Sequence, residues 1–281
     1  MNDITINTVQ GIGDIFWTYQ KLAPYFDRIS YNVLCTDDTN IVQRRSEKFC
    51  KMLPTVDRVR YRQVPHSYYQ QVTRGHYSLQ AVVDSYPQAA DYAVNAPLEA
   101  GSNLYALDHD AAVLDYVGLV GVPHEPPTRE DYLCVFVAGA KERSVWTPDQ
   151  WPKPIAQLAD RLGTGRIDLI GASWDRDVQA CVQRVLESRF AVRNHVGADL
   201  ATTINIIRRS RYFLGFQSGL NVLAENYDVP QLMIYFDKLE PMLYTWCKPS
   251  SVRTQFHATT FGSDVRRVID ELPLPSQENA P

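Results

Sequence analysis

Strand-like and helix-like runs alternate along almost all of this 281-residue chain, and that alternation limits the fold more than any other feature. In the first half, Ile4–Val9 and Ile29–Cys35 read as strands, Thr39–Leu53 as a helix, Val56–Val64 as a half-exposed strand and Asp108–Val120 as a helix. Residues 122–128 (Val-Pro-His-Glu-Pro-Pro-Thr) then interrupt the pattern. Three prolines in so short a run make a stiff, extended connector. Beyond it come strands at Tyr132–Ala138, Arg166–Gly171, Phe190–Arg193, Tyr212–Phe216 and, last, Gln231–Phe236. Helices are expected at Pro148–Leu162, Asp175–Arg189, Asp199–Arg209, Gly219–Tyr227 and Ser263–Leu272. Repeated βαβ units imply parallel sheets with helices on both faces. The expected architecture is α/β, with two Rossmann-like domains whose parallel sheets face each other across a cleft. Residues 1–122 form the first domain, 123–131 a proline-rich linker, 132–272 the second domain and 273–281 a disordered tail.

Composition narrows the function. A formal net charge of -4 and a pI near 5.9 disfavour a protein dominated by nucleic-acid phosphate contacts, while leaving room for a local basic groove. Cys35, Cys50, Cys134, Cys181 and Cys247 are widely spaced and contain no C-x-x-C pair. They read as reduced, mostly buried thiols of a cytoplasmic protein, and no zinc site is expected. The N-terminus lacks a signal-peptide pattern, and no apolar run approaches the roughly 20 residues that span a bilayer. Any membrane contact would be peripheral.

The densest chemical signal is Gly11-Ile12-Gly13-Asp14, between the first strand and a helical pattern running from Ile15 through Phe16, Tyr19, Leu22 and Ala23. Glycines let the backbone turn sharply and approach a ligand, and the helix N-terminus offers N–H groups to an anion. An aspartate there would repel a phosphate. Asp14 therefore suits a base or a hydroxyl acceptor, although aspartate also caps helices well.

The second half has matching loops. Gly139-Ala140-Lys141-Glu142-Arg143 follows a strand and suits a diphosphate, unless it is an ordinary charged loop. Trp146 and Trp151 just beyond are expected to pack a helix onto the sheet. Gln217-Ser218-Gly219-Leu220-Asn221 follows another strand and opens a helix, so Ser218 and the first helical N–H groups suit phosphate oxygens or a plain N-cap. Gly171-Ala172-Ser173-Trp174-Asp175 would line a nucleotide base pocket or cap the next helix.

In this order the motifs resemble glycosyltransferase family 9, the heptosyltransferase-like enzymes of the GT-B fold. Gly11, Gly13 and Asp14 match the family's G-x-G-D turn, whose aspartate is the catalytic base. Lys141, Arg143 and Trp146 approximate its basic residue before a Trp-Pro pair. Phe213 through Gly219, then Val229-Pro230-Gln231, follow its strand, small-residue turn, helix and proline-led strand. Gln217 stands where the family has aspartate, Val222 where heptosyltransferases have histidine, and Ser144 where a donor-binding lysine falls. The resemblance implies transfer of a sugar from a nucleotide-diphosphate donor to an acceptor hydroxyl, without metal or cofactor, and these departures point to a donor sugar other than heptose. It implies Asp14 as base, and donor contacts from Gly11, Gly13, Gly139, Lys141, Arg143, Gly171, Ser173, Gln217, Ser218, Gly219 and Asn221.

Residues 58–83 contain no acid, and Arg58, Arg60, Arg62 and Arg74 interleave with Tyr61, Tyr68, Tyr69 and Tyr77. That composition suits an anionic acceptor with flat groups, with Tyr77 among the contacts: a phosphorylated, lipopolysaccharide-core-like saccharide, or a hydroxylated base in modified DNA. A GT-B-like binding protein without turnover is the alternative. A nucleotide oxidoreductase fits less well, because Phe16 occupies the third glycine position of G-x-G-x-x-G.

Overall fold

The computed structural model of the chain describes residues 3–8, 11–24, 26–36, 40–67, 116–125, 127–137, 146–216, 218–235, 253–257 and 267–272. Two compact units divide it: Met1–His124 with Met242–Pro249, and Glu125–Pro241 with Ser250–Pro281.

The first unit contains β1 (Asp3–Thr8), α1 (Ile12–Leu22), β2 (Arg28–Cys35), α2 (Asn40–Cys50) and β3 (Val56–Gln63). The strands pair in parallel in the order β1-β2-β3. Residues two apart share a face of a strand. Ile4, Ile6, Ile29, Tyr31 and Val33 are buried on one face. The helices pack there: the Tyr31 hydroxyl donates to Ile15 O at 3.2 Å, and the Phe16 and Phe49 rings meet edge-on at 5.8 Å. The opposite face is polar. Strand register sets Thr5 beside Ser30 and Arg58, and Asn7 beside Asn32 and Arg60. Asn32 Nδ2 donates to Asn7 Oδ1 at 3.1 Å. Among the described residues of β2, Leu34 is the one buried apolar side chain on this side.

The second unit contains β4 (Glu130–Phe136), α3 (Pro152–Leu162), β5 (Arg166–Leu169), α4 (Arg176–Leu186), β6 (Ala191–Asn194), α5 (Leu200–Arg209), β7 (Ser210–Phe216), α6 (Gly219–Asn226), β8 (Gln231–Tyr235) and β9 (Arg253–His257), with 267–271 helical. All pairings are parallel, in the order β6-β5-β4-β7-β8-β9. One face buries Leu133, Val135, Ile167, Leu169, Tyr212, Leu214 and Phe216 against α3, α4 and residues 268–272. On the other face, the Tyr132 hydroxyl donates to Ile206 O in α5 at 2.6 Å.

Several expectations need correction. The strand expected at Gln231–Phe236, found as Gln231–Tyr235, is not the last, because β9 pairs beyond it. Pro148–Leu162 is not one helix: a 3-10 turn spans Pro148–Gln150, and α3 begins at Pro152. Pro152 and Pro154 supply no N–H to continue a helix through Trp151. Tyr116–Leu119 is not helical, and residues 108–115 lie outside the described set. Val117 and Leu119 are buried while Tyr116 and Val120 are exposed, a two-residue period, and Val120 N donates to Met52 O at 2.8 Å. Residues 273–281 also lie outside the described residues.

Candidate functional site

In the first unit the site begins where β1 hands over to α1. The helix starts at Ile12, so Gly13 and Asp14 lie in its first turn rather than ahead of it, and Gly11 is the N-cap with no side-chain cap bond. Asp14 is thus the third helical residue, not the capping residue. Near a helix N-terminus the aligned peptide dipoles favour a carboxylate. The half-buried Asp14 folds back over Gly11: a Cβ added at Gly11 would collide with its Oδ2 and stand 3.3 Å from its Cγ. Thr18 Oγ1 donates to Asp14 O and Ile15 O, both at 2.9 Å, and ties down the first turn. Gly11 is therefore glycine because the carboxylate occupies the space of its side chain.

In the second unit, strand order locates the site. Counted within the unit, the sheet runs third, second, first, fourth, fifth, sixth strand. The order reverses between β4 and β7, and open α/β sheets bind ligands outside the carboxyl ends of strands at such a switch. The two segments proposed to bind the diphosphate follow β4 and β7 in the chain. Phe136 near the end of β4 is in register with Gly215 near the end of β7. A Cβ on Gly215 would meet Phe136 O at 3.2 Å, so glycine allows this close approach. Gly139, Lys141 and Arg143 in one loop, and Gln217 in the other, lie outside the described residues.

Trp146 and Trp151 pack as expected. They form an edge-on cluster with Phe216, with centroids at 4.7 Å, 5.0 Å and 6.0 Å, which fixes the downstream end of the first loop to the end of β7. Ser218 is the N-cap of α6: its Oγ accepts from Leu220 N at 3.2 Å and meets Asn221 Oδ1 at 3.2 Å. No described residue accepts from the Gly219 N–H, one of the donors a helix start leaves over. Asn221 is buried, and its Nδ2 donates to Gln231 Oε1 at 2.9 Å. Gln231 Nε2 returns a bond to Asn221 O at 3.1 Å. Asn221 thus points into the protein and stitches α6 to β8.

The loops after β5 and β6 meet. Gly197 N donates to Gly171 O at 2.9 Å. The buried Asp175 accepts from Ala172 N at 2.9 Å, which makes it the local cap, while Ser173 and Trp174 are exposed. Arg58, Arg60 and Arg62 are exposed on the polar side of β3, whereas Arg74 and Tyr77 lie outside the described residues.

One charged cluster was not foreseen. The buried Asp168 accepts two bonds from Arg166, at 2.7 Å and 2.6 Å, and lies 3.2 Å from His195 Nε2. Arg166 also donates to Glu130 at 2.9 Å and lies over the Tyr132 ring at 4.2 Å. The Asp168 bonds, ahead of the Glu130 bond, hold the Arg166 pKa above its ordinary value. Glu130 and Arg166 are the first residues of their strands, at the end of the sheet opposite the loops. The spacing Arg166-x-Asp168 on a strand was the available signal, since it puts both side chains on one face.

Among the described residues no group of three His, Cys, Asp or Glu is arranged to hold a metal, and no helix is long and apolar enough to cross a membrane. Cys35, Cys50 and Cys134 are buried thiols outside any disulfide, Cys181 is exposed, and burial pushes the Cys50 thiol up to about 12.

No family model matches the chain, and no curated protein matches it. Solved structures do. The fold is similar to that of glycosyltransferase family 9. A family 9 glycosyltransferase from Veillonella parvula superposes with a TM-score of 0.55 at 14% identity, over 99% of this chain and 91% of that one. The E. coli heptosyltransferase WaaC with ADP gives 0.57 at 14% identity, over 96% and 99%. TibC, an iron-containing E. coli heptosyltransferase in complex with ADP-D-beta-D-heptose, gives 0.50 at 13% identity, over 90% and 62%. The likeness is one of fold, and the two parallel α/β units have the GT-B architecture.

Proposed function

We propose that this protein is a glycosyltransferase that moves a sugar from a nucleoside-diphosphate donor to an acceptor hydroxyl. The observation that carries this is the reversal of strand order between β4 and β7, the two strands that the Gly139–Arg143 segment and the Ser218-Gly219 turn follow in the chain. The GT-B likeness of the whole chain supports it.

Departure of a nucleoside diphosphate builds negative charge on its bridging oxygen. Lys141 and Arg143, together with the backbone N–H groups at the start of α6, stabilise that charge without a metal ion. The acceptor hydroxyl attacks the anomeric carbon as the glycosyl–phosphate bond breaks. Its proton goes to Asp14, whose carboxylate is held over Gly11 by the first turn of α1. The loops at Gly171, Ser173 and Trp174 take the nucleoside. The acceptor is a saccharide or a hydroxylated base in DNA. The nucleotide sugar is consumed as a substrate, so no cofactor is needed.

Asp14→Asn tests the assignment. Asparagine keeps the size and gives up only the charge–dipole term of the first turn, about 0.3–1 kcal/mol, but it cannot accept the proton. The rate should fall by roughly 100- to 10,000-fold. A nucleoside diphosphate at about 100 times its dissociation constant should still stabilise the variant by roughly 2.7 kcal/mol. Normal turnover by a folded Asp14→Asn protein would remove Asp14 from the mechanism. Nucleotide binding without transfer to any hydroxyl would favour a binding protein of the same fold.

A further inference from the structure

Helix α4 carries an apolar stripe outside the core. Gln179, Val182 and Leu186 form its buried face. Beside that face, Val178, Cys181 and Val185 follow one another at spacings of three and four residues, so they lie in one line along the helix. Val178 is half-buried against the core, Cys181 is exposed and Val185 is 56% exposed. Cysteine behaves as a small hydrophobe. Valine is a poorer helix former than the lysine, glutamate or glutamine that would suit such a position in water alone. Asp177 and Arg184, seven residues apart, run along one flank of the stripe, and both are exposed. Among the described residues neither has an ion-pair partner. In heptad terms Val178 and Val185 occupy a, Cys181 occupies d, and Asp177 and Arg184 both occupy g.

We propose that this stripe is the interface of a homodimer, in which α4 packs antiparallel against α4 of a second copy about a two-fold axis. A two-fold contact uses one patch twice, so the two copies exchange roles at every pair. An axis passing between Gln179 and Ala180 sets Val178 against the second copy's Cys181, and Cys181 against its Val178. The same register brings Asp177 beside the second copy's Arg184, and Arg184 beside its Asp177. Packing and charge therefore agree on one alignment. A parallel pair would instead set Asp177 beside Asp177 and Arg184 beside Arg184, where like charges repel. α4 has 11 residues and is about 16 Å long. A contact of that length lies at the small end of specific interfaces, so the dimer should dissociate in the micromolar range.

The test is sedimentation velocity of the full chain from about 1 to 200 µM, beside thermal melting of each variant. The dimer fraction should rise with concentration. Val185→Lys places a charge in the contact and should weaken association at least about 10-fold, with an unchanged melting temperature because the position is exposed. Arg184→Glu and Asp177→Lys each turn two attractions into two repulsions and should weaken it about 10- to 30-fold. Asp177→Lys/Arg184→Glu restores both pairs and should return association to within a few-fold of wild type. Were the two charges serving only the dipole of their own helix, the double variant would be worse than either single one. A bismaleimide spanning about 8 Å should link two copies through Cys181, since packed helices lie about 8–10 Å apart, and Cys181→Ser should abolish the link. A wild-type chain that stays monomeric at about 200 µM overturns the proposal, and so does such a chain whose stripe takes up a different protein. A dimer that Val185→Lys leaves intact, a charge swap that fails to rescue, or a cross-link that survives Cys181→Ser overturns it as well.

Discussion

Gly11→Ala separates the placement of the Asp14 carboxylate from its presence. The Gly11 backbone, at φ -69° and ψ 132°, is extended and comfortable for alanine, so the substitution introduces no backbone strain. Its new methyl would occupy the position now held by Asp14 Oδ2, with Cγ at 3.3 Å and Cβ at 3.9 Å. The carboxylate is the far end of a flexible side chain and can swing away. Leaving its preferred rotamer costs about 0.5–1.5 kcal/mol. Alanine is also a poorer N-cap than glycine, by about 0.5–1 kcal/mol. The protein should therefore fold with a loss of about 1–2 kcal/mol and a melting point a few degrees lower. Catalysis should suffer more, because displacing a reacting group by about 1 Å can cost 100-fold. Steady-state transfer kinetics, with donor affinity measured separately by calorimetry, should give a kcat about 100-fold down and an almost unchanged donor Kd. Gly11→Ala/Asp14→Asn should be little worse than Asp14→Asn alone, since both remove one function. A folded Gly11→Ala enzyme with normal kcat would refute the claim that this orientation of Asp14 matters.

Two further outcomes follow from the proposed chemistry and from the charged cluster. Transfer should proceed at full rate after dialysis against excess chelator, and loss of activity restored by added magnesium, manganese or iron would move leaving-group stabilisation to a metal. Asp168→Asn should lower stability by about 2–4 kcal/mol, towards the low end of what breaking a buried pair costs because Arg166 keeps Glu130, while nucleoside-diphosphate affinity is retained; unchanged stability with abolished turnover, by thermal melting and kinetics, would instead make the cluster functional.

The alternation of apolar periods located every described strand but β9, and it was clearest for strands of the second unit with neighbours on both sides, which are apolar along most of their length. Tyr212–Phe216 and Tyr132–Phe136 are such strands. Arg253–His257 is Arg-Thr-Gln-Phe-His, with one apolar residue and at the end of the described strand order, and its pairing is set by β8 rather than by its own pattern. The segment 116–120 misled for the opposite reason. Val117 and Leu119 fit a helical stripe running on from Ala112 and Leu114, but it is packing against the first unit that fixes their conformation. At the site, backbone features were legible and side-chain directions were not. A glycine turn before a helix predicts N–H groups aimed at a ligand whatever the neighbours do. Asn221 looked equally available on sequence. Its inward direction depends on Gln231, ten residues away on another strand. Asp168 and His195 stand 27 residues apart, and nothing local links them.

The turn at Ser218 shows how much follows from this. Its hydroxyl already caps Leu220 N and meets Asn221, and Asn221 in turn is bound to Gln231. The hydroxyl is therefore an internal link that sets the direction of the Gly219 N–H, and the backbone rather than the side chain would meet a phosphate. A direct serine contact and a shaped turn make different predictions. If Ser218 touched the diphosphate, Ser218→Ala would weaken binding and Asn221→Ala would not, since Asn221 is 1% exposed and has no path to a ligand. If the relay shapes the turn, both changes loosen it. Ser218→Ala loses a cap at about 0.5–2 kcal/mol. Asn221→Ala leaves Gln231 Oε1 buried without its donor, at about 1–3 kcal/mol. Each should then weaken nucleoside-diphosphate binding by a similar factor, on the order of 10-fold for a turn that no longer holds one charge-assisted bond in place. Val222, one residue on, is buried at 3% exposure and offers no polar group to compensate. Isothermal titration of the two folded variants decides the matter: wild-type affinity in Asn221→Ala beside weakened affinity in Ser218→Ala would return the contact to the serine hydroxyl itself.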